Sequence, residues 1–115
     1  MRRGEIRVVD FDPGRGLEAS KRRPAVIVSN DGANAVAARI GRGVITVLPI
    51  TSDLRRIYPF QVHLPAAASG LRQDSKAQAE QVRSVAVQRL GERIGQVPAA
   101  LMVQIDEALR LHLAL

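Results

Sequence analysis

The sequence contains no cysteine and no tryptophan. Without cysteine there is no disulfide framework, no thiolate metal site and no thiol nucleophile, and the chain suits a reducing compartment. Aromatic residues are limited to Phe11, Tyr58 and Phe60, so Val, Ile, Leu and Ala must build the core. Histidine is scarce as well. His63 and His112 lie in different predicted elements, and neither has a second histidine or a carboxylate at ligand spacing, so no metal site is expected. The tripeptide "GRG" occurs at 14–16 and 41–43 but is too short for a phosphate-binding loop of the Walker or dinucleotide kind, and no cofactor is expected. No apolar run approaches the ~20 residues of a membrane span. The opening "MRRGEIRVVDFD" lacks the apolar stretch of a signal peptide. A cytoplasmic protein with no membrane partner is expected.

What the chain has in excess is positive charge, nearly all of it arginine. Seventeen Lys and Arg face 11 Asp and Glu, a net +6, and lysine occurs only at positions 21 and 76. Residues 1–57 hold 11 of the cations and 6 of the anions, whereas residues 58–115 hold 6 and 5. Guanidinium binds phosphate bidentately, so an arginine-rich, lopsided surface points first to a nucleic acid. The alternative at this level is a basic but inert surface. With 115 residues, 46% of them hydrophobic and 24% charged, the composition fits one folded domain spanning residues 1–115.

The periodicity is mostly that of strands. "GEIRVVDFD" alternates and stops at "DPGRG", a strong turn signal, and residues 14–23 read as a polar loop. "PAVIVSN" is continuous and β-rich, as expected for a strand buried on both faces, with Pro24 tolerated at its start. "DGANAVAARIGRG" reads as a linker holding at most one helical turn. "VITVLPIT" is a second buried strand, "PFQVHL" alternates, "KAQAEQVRSVAV" reads as one further alternating strand, and "QRLGERIGQV" as a turn and a short strand. Only the tail is helical. Pro98 suits a first turn, and Leu101, Ile105, Ala108, Leu109 and His112 recur at helical spacing. This spacing turns His112 toward the core or a partner. The closing "LRLHLAL" is apolar on more than one face, which suits burial against a second copy. The predicted fold is mainly β with a C-terminal α-helix, a small barrel or curled sheet of five to seven strands.

With thiols, metals and paired histidines set aside, His63 reads as an exposed strand residue and chemistry falls to Arg, Thr, Ser and Glu. Cleavage of a phosphodiester builds charge on nonbridging oxygens, where fixed donors are most effective. Arg23 precedes Pro24, whose ring forces it into an extended conformation. Thr51 and Ser52 close the strand "VITVLPIT" and offer hydroxyls to a phosphate oxygen. Taken alone, these residues also read simply as a solvated charge and an ordinary β-former.

"RRGEIRVVDFDPGRGLEASKRRPAVIVSN", then "VLPITSD", "YPFQVHLP" and "AEQVRSV", in that order and spacing, resemble the MazF/PemK family of toxin endoribonucleases over nearly the whole chain. The resemblance implies an SH3-like barrel, a homodimer, metal-independent cleavage of single-stranded RNA at short sequences, and an acidic MazE-type antitoxin covering the RNA groove. It places the family's essential arginine on Arg23 and its essential threonine on Thr51. The glutamate of the early loop falls on Glu18, which could serve as base for the ribose 2′-OH. Gln81 and Arg83 come from "EQVRS" as groove residues, and Lys21, Arg22 and Ser52 join them in holding RNA. The chain departs from the family at Ser52, which keeps a hydroxyl, and at Arg7, which stands where an aromatic is common. The competing reading is a catalytically silent RNA-binding barrel or an inhibitor toxin acting on a protein target.

Overall fold

In a computed structural model, residues 1–11, 16 and 21–115 are described. Seven strands form one antiparallel sheet: β1 (Glu5–Asp10), β2 (Arg22–Ile27), β3 (Val44–Thr51), β4 (Gln61–Leu64), β5 (Ser75–Gln78), β6 (Arg83–Ala86) and β7 (Leu90–Gln96). Their order is β4-β5-β3-β2-β1-β7, with β6 also pairing with β3. Strand β3 is therefore central, with β2 on one edge and β5 followed by β6 on the other. The helices are α1 (Asp31–Ile40), α2 (Ala66–Ser69) and α3 (Ala99–Leu113).

Alternation along the central strands sends side chains into two separate cores. Ile6, Val26, Leu48 and Ile50 join Val62, Leu64, Ile105 and Ala108 on one face, where α3 packs. Val9, Ala25, Ile27, Ile45 and Val47 join Phe11, Ala37 and Val85 on the other, where α1 packs. The continuous apolar runs of β2 and β3 follow from this, since a strand with a core on each face cannot alternate with polar residues.

Three readings from sequence change. The supposed linker is a ten-residue helix, α1, capped by the Asn30 side chain, which accepts from the Ala33 N–H, and ended by left-handed Gly41. "PAAASG" contains the short helix α2, so the C-terminal helix is not the only one. "KAQAEQVRSVAV" is two strands, β5 and β6, split by a 3₁₀ turn at Ala79–Gln81. Both run along β3, but Ile50 pairs with Ala77 while Val47 pairs with Arg83, a register slip of three residues that the turn takes up. His112 is exposed, 6.3 Å from the Phe60 ring, and so does not face the core. His63 is exposed on β4, as read. Val103, Leu111 and Leu113 of α3 are also exposed. Among the described residues, no helix is long and apolar enough to cross a membrane.

Candidate active site

The sheet register brings the two leading residues together. Arg23 pairs with Val9 of β1 on one side. On its other side β2 meets β3 through Ala25↔Pro49, Val26↔Leu48 and Ile27↔Val47. Continued by two residues, that register sets Arg23 opposite Thr51. The ladder stops short of them because Pro24 has no N–H to give. Arg23 and Thr51 thus stand near the ends of two strands, each held in place by its other neighbour, Arg23 by β1. Thr51 is held from its far side by pairing with Lys76 of β5.

Both residues line a cleft of about 740 Å³. Val8, Pro24, Ile50, Leu71 and Ile94 give it an apolar floor, and Lys21, Arg22, Arg23 and Arg72 supply four cations. Ser52, Gln73, Ser75 and Glu92 add polar groups. The volume lies within the range of small-ligand sites. Fixed donors in such a cleft suit an anion flanked by flat apolar groups, which describes a nucleotide in a single strand.

The cations are better anchored than a loop would allow. Residues 14–23 were read as a loop, yet Arg22 and Arg23 belong to β2, where Arg22 pairs with Asp10. The Arg22 guanidinium lies over Gly91 of β7, where an added Cβ would sit 3.4 Å from its Nη2. Lys21 adopts the left-handed backbone conformation (φ 67°), costly for a residue with a Cβ. Its carbonyl accepts from the Phe11 N–H at 3.0 Å, which closes the β1–β2 end. Arg72 arrives through the turn after α2. That turn presses against β7 at Gly95, where a Cβ would meet the Ser69 carbonyl oxygen at 2.3 Å, so only glycine permits the approach.

Beyond Thr51 the chain is pinned by side chains. Thr51 Oγ1 accepts from the Asp53 N–H at 3.2 Å, which leaves its own proton available to another acceptor. Asp53 receives both Nε and Nη2 of Arg55, at 3.0 and 2.7 Å. These bonds hold its carboxyl well below the usual range, at about 2. The Lys76 ammonium, almost wholly buried, donates to the Arg56 carbonyl and ties the same segment to β5.

Comparison with known proteins decides what this arrangement belongs to. The family model described as "PemK-like, MazF-like toxin of type II toxin-antitoxin system" matches residues 2–113. The chain belongs to that family. It is 63% identical over 115 residues to Endoribonuclease MazF9 of Mycobacterium tuberculosis, covering 100% of this chain and 98% of that one. The fold is similar to the crystal structure of MazF from Deinococcus radiodurans, with a TM-score of 0.83, 28% identity, and 100% and 97% of the two chains covered. It is also similar to a mycobacterial endoribonuclease solved in complex with its cognate antitoxin, with a TM-score of 0.76, 25% identity, and 100% and 96% coverage.

Of the site residues expected from the sequence, Arg23, Thr51, Lys21, Arg22 and Ser52 come together in the cleft. Gln81 and Arg83 do not line it. Gln81 ends the 3₁₀ turn, and the Arg83 guanidinium lies 5.4 Å from the centre of the Phe11 ring. Glu18 lies outside the described residues. Four polar or charged cleft residues, Arg72, Gln73, Ser75 and Glu92, were missed. No spacing signal marks them, because they reach the cleft through the turn after α2, the start of β5 and β7. Among the described residues, no group of three or more His, Asp or Glu could hold a metal.

Proposed function

We propose that this MazF/PemK-family toxin cuts single-stranded RNA at short sequences, without metal, in the cleft where Arg23 meets Thr51. The cleft that Arg23 and Thr51 line together, among four cations, is the observation that supports the reading. Arg23 stabilises charge developing on the nonbridging oxygens as the 2′-oxygen attacks phosphorus and the bond from phosphorus to the 5′-oxygen breaks, the departing 5′-oxygen taking a proton from water. A guanidinium with a pKa above about 12 is a poor proton acceptor, so it serves as a donor and not as the base. Thr51 turns its free hydroxyl proton to a phosphate oxygen. Ser52 offers a second hydroxyl. Glu18 takes the proton of the 2′-OH. Lys21 and Arg22 hold flanking phosphates, and Gln81 and Arg83 meet RNA that extends past the cleft.

The same toxin would act in the cytoplasm on messenger RNA and so stop translation and growth. An acidic MazE-type antitoxin would compete with RNA for the four cations. The exposed Val103, Leu111 and Leu113 on α3 support a homodimer that buries them. The test is incubation of the purified protein with a mixed single-stranded RNA pool in EDTA, followed by mapping of the fragment ends. Discrete cuts at a recurring short sequence are expected. RNA that is bound but left intact would overturn the reading in favour of a silent binding barrel.

A further inference from the structure

Glu92 is the one carboxylate among the described residues lining a cleft that otherwise carries Lys21, Arg22, Arg23 and Arg72. It is exposed, and its carboxylate forms no hydrogen bond or ion pair with any described residue, although the Arg22 guanidinium lies over the adjacent Gly91. A bare carboxylate repels phosphate, so its place in an RNA cleft calls for a group it attracts.

Glu92 stands on β7, next to β1, and β1 separates β7 from β2 and β3. Adjacent strands lie about 4.8 Å apart, so along the sheet the Glu92 backbone is two strand spacings from that of Arg23 and three from that of Thr51. What lies beside it is apolar floor. Ile94, on the same irregular strand β7, lines the cleft together with Glu92, Val8 and Leu71. That surface suits the face of a base, with Glu92 at its edge.

We infer that Glu92 is a specificity-determining residue: its carboxylate accepts from the exocyclic amine of a base next to the scissile phosphate and excludes uracil there. An ionised carboxylate only accepts hydrogen bonds. Adenine, cytosine and guanine each present an exocyclic amine. Uracil presents one N–H between two carbonyl oxygens, which the carboxylate repels. The inference rests on the cleavage reading above, so its test separates the two.

Wild-type protein, Glu92→Gln and Glu92→Ala are each incubated with a randomised single-stranded RNA library in EDTA, and the cut ends are sequenced. The wild type should prefer amine-bearing bases over uracil at one position flanking the cut by about tenfold or more. Glu92→Gln keeps the shape but both donates and accepts, matching uracil's O4 and N3–H, so uracil should be admitted at that position and no other. Glu92→Ala should lose the preference there. Circular dichroism checks the fold, which an exposed strand residue should not disturb. Cleavage by all three with one unchanged preference would overturn the inference and leave the proposed function standing. A uniform loss of rate without change in preference would overturn it too, assigning Glu92 to the chemistry or the fold. Absence of cleavage by the wild type would instead defeat the functional reading itself.

Discussion

Salt should weaken RNA binding by an amount the cleft fixes in advance. Lys21, Arg22, Arg23 and Arg72 line it. Each cation that neutralises a phosphate of a single strand contributes about −0.7 to the slope of log affinity against log salt. Four contacts give a slope of about −2.8, which is roughly a 50-fold loss of affinity between about 50 and 200 mM salt. The assay is fluorescence anisotropy of a labelled oligoribonucleotide short enough to occupy one cleft, with Thr51→Ala to prevent cutting. Arg72→Ala, which removes one cation at the far wall, should flatten the slope to about −2.1, a loss near 18-fold over the same range. Arg110→Ala, on α3 and outside the cleft, should leave the slope alone. A wild-type slope shallower than about −1, or equal flattening by Arg72→Ala and Arg110→Ala, would refute the placement of the RNA.

Two further outcomes concern the scaffold. Ile105, fully buried where α3 meets the sheet, should lose about 2–5 kcal/mol on Ile105→Ala, read as a shifted urea midpoint at unchanged slope. An unaltered midpoint would mean that α3 does not pack there. Asp53 should titrate near 2 by NMR, because Arg55 holds it ionised. Its folded value is depressed, so the contribution of the pair is complete above the ordinary 3.8 and disappears as pH falls through about 2. A midpoint at the ordinary value would show that the pair does not form in solution.

Strands were legible wherever burial dictated the pattern. β2 and β3 read as continuous apolar runs because each feeds both cores. Helix α1 was missed because only Asn34 and Ala37 of it are buried, too few to make an apolar stripe. Its signals were at the ends: Asn30 as cap, Asp31 in the first turn, Arg39 in the last, and Gly41 beyond. The break between β5 and β6 was hidden because both halves alternate and follow the same edge of β3. Only the three-residue slip against β3 separates them, and pairing register is not written in one strand's sequence. Arg23 and Thr51 were legible because a proline and a strand end mark them locally. Arg72 and Glu92 were not, because the α2 turn and β7 reach the cleft only once β1 has paired on both sides.

Single-turnover cleavage of one labelled RNA at saturating protein in EDTA tests most directly whether this cleft performs the chemistry. Arg23→Ala and Thr51→Ala should each slow the step by about 10²–10³-fold, the contribution of one preorganised donor to transition-state charge. Arg23→Lys keeps the charge without the planar fork and should remain strongly impaired. Lys21→Ala and Arg22→Ala should weaken binding while leaving the saturated rate nearly intact. Circular dichroism matching the wild type confirms the fold in each case. Near wild-type rates for folded Arg23→Ala and Thr51→Ala would contradict the account and place the reaction elsewhere on the molecule.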